Sequence, residues 1–291
     1  MKLILNLNQY NYKGFLDSKA DIITIALENF SSGYFLTYKL EELSNIINDI
    51  HKAKKEVYLA INVVANQHQI YEFMKIVNDI AKLDIDGYVV GDYGILQILK
   101  ENNLINKVIF NPVTNITNKY CAKNYISLGL NHVCVANELN LKDILEISKY
   151  NKGNVELLAQ GYYQICNSKR PLLTNFFKQF KLNNTSPYYY IKEESRDYAY
   201  PILEINNEVL IYIDKQRCIL SYLKEILDSN IKYLRIDTIF MSLEEINLFL
   251  NTYSSAINNI STIEEGLKLI ESTNSNFKCL DNISILKKEA K

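Results

Sequence analysis

Short apolar runs alternate along the chain with longer stretches in which apolar residues recur every three to four positions. The runs "LILNL" (3–7), "IITIA" (22–26), "VYLAINVV" (57–64), "GYVVGD" (87–92), "KVIFN" (107–111), "HVCVA" (132–136), "VELLAQG" (155–161) and "YLRID" (233–237) have the length and β-branched content of buried strands. Between most of them lie amphipathic segments such as "LEELSNIINDIHKAKK" and "QIYEFMKIVNDIAKL", which read as helices packed by one face. Eight strand runs, each followed by a helix, over roughly 250 residues predict an α/β fold of the (β/α)8 TIM-type barrel class. An open doubly wound sheet would need a glycine-rich phosphate turn or a visible split in the chain, and neither is present.

The rhythm breaks once. Between 161 and 212 the chain carries a polar turn, three consecutive tyrosines and a β-hairpin pattern, within "NNTSPYYYIKEESRDYAYPILEINNEVLIYI". This segment is expected to be an insertion after the seventh strand, lying over the C-terminal mouth of the barrel. The tyrosines at 188–190 are expected to pack the hairpin on the barrel rather than to stack on bases. Residues 1–261 then form one barrel domain, and 262–291 a C-terminal helix and tail.

In such a barrel the strand C-termini face the functional end. Reading the last positions of each strand brings Asn62, Asp92, Asn111, Glu138, Gln160 and Asp237 to one rim, with Arg235 on the same side of its strand as Asp237. Asn and Asp at such positions also cap helices and bond loop backbone, so each carries two readings.

Composition narrows the chemistry. With 48% hydrophobic and 22% charged residues over 291 positions the chain is globular. A formal net charge of −1 gives no global attraction for nucleic acid or anionic membrane, so any such contact falls to a local patch. The start "MKLILNLNQYNYKG" has too short an apolar run for a signal peptide, and no later window could span a bilayer, so a cytoplasmic protein is expected. The five cysteines (121, 134, 166, 218, 279) are scattered without a C-x-x-C pair, which argues against a zinc ribbon or a self-contained iron–sulfur motif.

One stretch does not read as scaffold. In "ELLAQGYYQICNSKRPLLTNFF" (156–177) a core-like strand opens onto Cys166, Ser168, Lys169 and Arg170. Cys166 reads as a nucleophile or redox centre activated by the adjacent cations. The three histidines (51, 68, 132) fall in helices or at a strand start, so no base is at hand for cysteine-protease chemistry. Lys169, Arg170 and Arg196 could hold a carboxylate-rich small molecule or an RNA phosphate. Alternatively, Arg170 and Arg196 pair with Glu156, Glu194 or Asp237 and pin the insertion to the barrel.

The same stretch resembles the signature of the bacterial collagenase-like peptidase family (peptidase family U, number thirty-two), and its Ser-Lys-Arg resembles the family's short branch. The resemblance continues over residues 20–260. "KKEVYLAINVVANQHQI" places Asn62, "DGYVVGDYGILQILKE" places Gly91 and Asp92, "FNPVTNITN" places Asn111 and "VANELNLKDILEI" places Glu138. "EESRDYAYPI" carries Arg196 and Pro201, and "IDKQRCILSYLKEILDSNIKYLRIDTI" resembles a further family stretch.

The resemblance implies a TIM-type barrel. It also implies one of two activities: a peptidase without defined catalytic machinery, or oxygen-independent hydroxylation. In the short branch the latter is prephenate-dependent 5-hydroxylation of the wobble uridine of tRNA, beside a longer, cysteine-bearing paralogue. Against the family pattern, Cys166 stands alone, Gln160 replaces a histidine and Asn137 an arginine. This implies that any iron–sulfur cluster belongs to a partner, and that this chain is divergent or subunit-like. On this reading Arg170, Asp237 and Cys166 are the catalytic candidates. Lys169, Arg196 and Arg235 join Asn62, Asn111 and Glu138 in binding a small anionic ligand, with prephenate as cosubstrate and tRNA and a longer paralogous subunit as partners. The rivals are a peptidase of undefined type and a non-catalytic scaffold subunit.

Overall fold

The computed structural model describes residues 1–195 and 197–273. Seven parallel strands come first: β1 (Lys2–Asn6), β2 (Ile22–Ala26), β3 (Glu56–Ile61), β4 (Gly87–Val90), β5 (Val108–Phe110), β6 (His132–Cys134) and β7 (Val155–Gly161). The helices α1 (Leu40–Lys52), α2 (Gln67–Ile80), α3 (Tyr93–Glu101), α4 (Lys119–Ser127) and α5 (Leu141–Tyr150) follow β2 to β6 in turn. Each helix buries one stripe. In α1 the stripe is Leu43, Ile46, Ile47 and Ile50, with Glu41 and Glu42 in the first turn and His51 and Lys52 in the last, favourable to the helix dipole. Capping is local: Asn66 and Gln69 form a capping box on α2, and Asp92 accepts from the Gly94 and Ile95 amides at the start of α3.

After β7 the chain leaves the barrel through β8 (Gln164–Ser168), α6 (Leu172–Phe180), β9 (Tyr188–Lys192), β10 (Ala199–Ile205) and β11 (Glu208–Tyr212). It returns as β12 (Arg217–Cys218), antiparallel to β7, and then α7 (Leu223–Asp228) leads into β13 (Tyr233–Asp237). The helix α8 (Leu243–Asn258) and then α9 (Ile263–Thr273) complete the described chain. β13 pairs in parallel with both β7 and β1, and β6 pairs with β7, so β1–β7 and β13 close into an eight-stranded parallel barrel. Ile270 of α9 belongs to the main core, so this helix packs on the barrel.

Two expectations change. β1 is followed by a single 3-10 turn, Tyr12–Phe15, and not by a helix. The stretch from 7 to 21 is short and polar, and its buried apolar residues are only Leu7, Tyr12, Phe15 and Ala20. The insertion is a four-stranded antiparallel sheet of order β8–β11–β10–β9 rather than a hairpin, because the Cys166 stretch itself pairs with β11, Cys166 lying opposite Ile211. One face of this sheet, with Leu203, Leu210 and Tyr212, packs with Ile239 and Phe240 above the barrel. The other face carries α6, through Phe177 against Tyr189.

Gly161 is where the chain turns out of the barrel. Its φ is +136°, and a Cβ there would sit 2.7 Å from the Asp237 carbonyl oxygen. Only glycine takes this backbone conformation at little cost while β7 lies so close to β13. Gly161→Ala is therefore expected to lose about 1–3 kcal/mol, measured as a fall in the urea midpoint at unchanged m. An unaltered midpoint would show that the bend is not constrained.

Candidate functional site

Strand alternation turns Ile4 and Asn6, Tyr58, Ile109, Cys134, Glu156 and Leu158, and Tyr233, Arg235 and Asp237 into the barrel interior. The apolar members fill the middle, and the polar ones form a continuous chain down the axis. Asp237, level with Asn6 in the β1–β13 register, accepts from Asn6 Nδ2 at 3.0 Å and lies 3.2 Å from Arg235 Nη1. Arg235 Nε lies 2.8 Å from Glu156 Oε1, and Glu156 Oε2 lies 3.1 Å from His132 Nε2. His132 stacks on Tyr233 with ring centroids 3.9 Å apart. At the upper end Tyr34 OH donates to Asn6 Oδ1.

The side chains of Arg235, Asp237 and Glu156 are only 12%, 13% and 2% exposed, so none can exchange its partner for bulk water. Their titrations separate accordingly. Burial raises the Asp237 carboxyl, and the opposing Arg235 charge does not fully offset it. Burial also works to raise Glu156, but the His132 hydrogen bond and the Arg235 charge outweigh it and hold that carboxyl below the usual range. Burial opposes the charge on Arg235, yet Glu156 foremost keeps it more firmly protonated than usual. The thiol of Cys134, buried beside Glu156, is pushed well up. A carboxyl that takes up protons readily thus stands at the mouth, above a charge pair that stays fixed.

Above Asp237 lies a cavity of about 60 Å³, lined by Asn62, Asn111, Asn137, Tyr34 and the insertion's Tyr162, Tyr163 and Tyr212, among others. It has room for a few waters at roughly 10–15 Å³ each. Asn62 faces the cavity while its amide makes reciprocal bonds with the Ser32 backbone, at 3.0 and 3.1 Å, that fix the loop after β2. Asn111 lines the cavity and accepts from the Val113 amide. Arg217, fully buried at the base of the insertion, donates to the Asn137 carbonyl.

The remaining candidates separate from this site. Glu138 is exposed past the rim, and its neighbour Asn137 faces the cavity instead. Gln160 is buried and donates to Gln216 Oε1 at 2.8 Å. Cys166, Lys169 and Arg170 are exposed on and after β8, and none lines the mouth. The expectation that the strand delivers them there is corrected: pairing with β11 carries this stretch up the insertion and away from the barrel. Lys169 Nζ lies 3.2 Å from Glu208 Oε1, in a separate groove of about 630 Å³ between the insertion and the start of α2. The barrel carboxylates expected to pin Arg170 or Arg196 are engaged by Arg235. Arg196 lies outside the described residues.

Glu156, His132, Asn6 and Tyr34 were not among the candidates. A lone acid within the apolar run "VELLA", two positions from Leu158 on the same face, was the available signal, since a buried charge requires a partner.

Fold and site together define a TIM-type barrel with a polar, acid-bearing mouth covered by an antiparallel insertion. The model of Peptidase family U32 matches residues 8–284, and the chain belongs to that family. It is 25% identical over 226 residues to tRNA hydroxylation protein P2 of Bacillus subtilis (strain 168), covering 76% of this chain and 73% of that one. It is 22% identical over 140 residues to tRNA hydroxylation protein P of Escherichia coli (strain K12), covering 48% of this chain and 31% of that relative. A solved U32 peptidase structure shares the fold, with a TM-score of 0.50 at 12% identity over 81% of this chain and 92% of that one.

Among the described residues no three His, Cys, Asp or Glu side chains are grouped to hold a metal ion. Nor is any helix among them long and apolar enough to cross a membrane.

The interior charges predict unequal responses to neutralisation. Glu156→Gln strips Arg235 and His132 of their shared carboxylate and is expected to cost about 3–5 kcal/mol in urea denaturation at neutral pH. Asp237→Asn removes a carboxyl whose ionisation burial already disfavours, and is expected to change stability by less than about 1 kcal/mol. Because the folded-state pKa of Asp237 is raised, its contribution is present in acid and lost as pH rises through that value. The Asn variant should therefore gain on the parent as pH increases across that titration. Equal losses for both variants would refute this division.

Proposed function

We propose that this chain acts in 5-hydroxylation of the wobble uridine of tRNA, together with a longer paralogous subunit. The observation that carries this reading is family membership, combined with similarity over three-quarters of the chain to tRNA hydroxylation protein P2. The mouth is suited to a small polar substrate group rather than to a peptide. It has a narrow polar cavity over a protonatable acid, and among the described residues no nucleophile–base pair faces it.

In this reading Asp237 and Arg235 handle the reacting or anionic group, and Asn62 and Asn111 orient it. A carboxylate ligand such as prephenate reaches Arg235 by displacing Asp237, which takes up a proton as it gives way. Such a ligand, or a nucleobase, exceeds the cavity of about 60 Å³, so Tyr162, Tyr163 and Tyr212 must swing aside on entry. Any iron–sulfur chemistry is assigned to the partner, and no step here is routed through a cluster. Lys169 and Arg170 belong to the insertion's outer surface and not to this pocket.

Deleting the gene and quantifying tRNA nucleosides by mass spectrometry is expected to remove wobble 5-hydroxyuridine derivatives, with wild type but not Asp237→Asn restoring them. Unchanged nucleosides would end the proposal. For the purified complex, prephenate affinity measured by calorimetry should rise as pH falls through the Asp237 titration, and Asp237→Asn should abolish that dependence. A pH-independent affinity in the parent would separate Asp237 from ligand uptake.

A further inference from the structure

The amides packed beneath the mouth have no freedom to turn, and this limits where a proton can sit. Asn8 is buried, with every polar atom engaged. Its Nδ2 donates to the Gly33 carbonyl at 2.9 Å, and its Oδ1 accepts from the Thr238 amide at 3.2 Å. A backbone carbonyl only accepts and a backbone N–H only donates, so the Asn8 side chain can face one way alone. Its main-chain carbonyl takes the amides of Phe35 and Leu36, at 2.7 and 3.2 Å, and so anchors the loop that carries Tyr34.

Asn6, also buried, is oriented by this frame from two sides. Asn8 Oδ1, fixed as an acceptor, lies 3.4 Å from Asn6 Nδ2, and an amide oxygen in that place would be repelled. On the other side the buried Tyr34 hydroxyl needs an acceptor for its proton, and Asn6 Oδ1 supplies it. Burial foremost pushes the Tyr34 phenol well up, so it stays a donor. The amide nitrogen of Asn6 is thereby turned to Asp237 Oδ2, to which it donates at 3.0 Å.

Arg235 Nη1 donates to the same oxygen at 3.2 Å. Two donors fill the in-plane lone pairs of Oδ2. Oδ1 has only the Ile239 amide, at 3.4 Å, among the described residues. Ile239 lies beyond the C-terminal end of β13, which is the mouth end. The charged or titratable groups around Asp237 are Arg235 on its own strand, Glu156 of β7, Tyr34 of the loop after β2 and Tyr212 of the insertion. Arg235 and Glu156 hold each other charged, and burial keeps both phenols protonated. Asp237 is the member of this group left to change state.

We propose that Tyr34 and Asn6 are positioning residues that decide which oxygen of Asp237 carries its proton: Oδ2 is kept as an acceptor, and Oδ1 bears the O–H and presents it to the mouth. A proton on Oδ2 would be pressed against an N–H of Asn6 or Arg235, whereas Oδ1 has a lone pair to spare. The placement of the proton stands on these contacts alone, and its use on a ligand rests on the function proposed above. When an incoming anion draws Arg235 away, Asn6 keeps its hold on Oδ2. The carboxyl then does not rotate, and its O–H stays aimed at the ligand.

The test uses the full chain without ligand or RNA. Carboxyl-carbon NMR of Asp-labelled protein follows the Asp237 titration, and acid-minus-neutral infrared difference spectra show the C=O stretch of its acid form. The signals missing from Asp237→Asn assign both. Tyr34→Phe frees the Asn6 amide to turn, and Asn6→Leu removes it. Either change takes a donor from the carboxylate, so the Asp237 pKa should rise by about one pH unit. With the proton on Oδ1 the infrared carbonyl is C=Oδ2, and loss of the Asn6 donor should move its band to higher frequency. A proton on Oδ2 would leave that band indifferent to both variants and would overturn the proposal. Tyr212→Phe removes a hydroxyl near the same carboxyl but outside this chain of contacts, and should leave both signals in place. A shift there equal to that of Tyr34→Phe, or an unmoved titration in Tyr34→Phe, would also overturn it. Tyr34→Phe keeps the ring and its packing, so the test stands even where Asn6→Leu does not fold. Because no tRNA enters, unchanged nucleosides in the deletion strain would end the proposed function and leave the proton placement untouched.

Discussion

A guanidinium enclosed in the middle of the barrel sets the terms for everything around it. Arg235 cannot be left there uncompensated, because an isolated buried charge costs several kcal/mol even after relaxation. Glu156 on β7 supplies the fixed counter-charge, and Asp237, one inward-facing position further along β13, supplies a conditional one. His132 and Tyr233 close the lower end, Asn6 and Tyr34 the upper. The interior is therefore a stack of charge pairs and polar contacts rather than the purely aliphatic filling common to such barrels. The conditional partner stands where ligands enter.

The barrel was legible because its signal is redundant. Most strands are near-continuous apolar runs, as strands buried on both faces must be, and helices such as α2 and α8 carry capping boxes of their own. Strand-end reasoning found Asp237, Asn62 and Asn111 because the barrel itself brings those ends together. The same reasoning misplaced Glu138, for a residue just beyond a strand can turn outward, and of the two readings open for Asp92 the structure takes the capping one. Glu156 and His132 were not singled out as site residues for a different reason. Their importance lies in pairing across strands, which requires the register of β6, β7 and β13 and not the sequence of any one of them.

The Ser-Lys-Arg stretch shows how a local pattern misleads about place. A thiol and two cations directly after a barrel strand suggested a mouth site, but five residues of β-pairing suffice to carry them up the insertion. The three tyrosines divide in the same way. Tyr188 packs on Phe240, Tyr189 caps its own turn by accepting from the Thr185 and Ser186 amides, and Tyr190 points to solvent. Packing on the barrel was the right expectation for Tyr188, whereas Tyr189 lies on the other face of the sheet against Phe177 of α6, and Tyr190 stands beside Tyr188.

At Gly161 the backbone of β7 runs close enough to Asp237 that even a methyl group would collide with it. The covering sheet and the titratable acid consequently share a pivot. Tilting the cover about that bend works directly against the main chain that bears the carboxyl, as a lever works against its fulcrum.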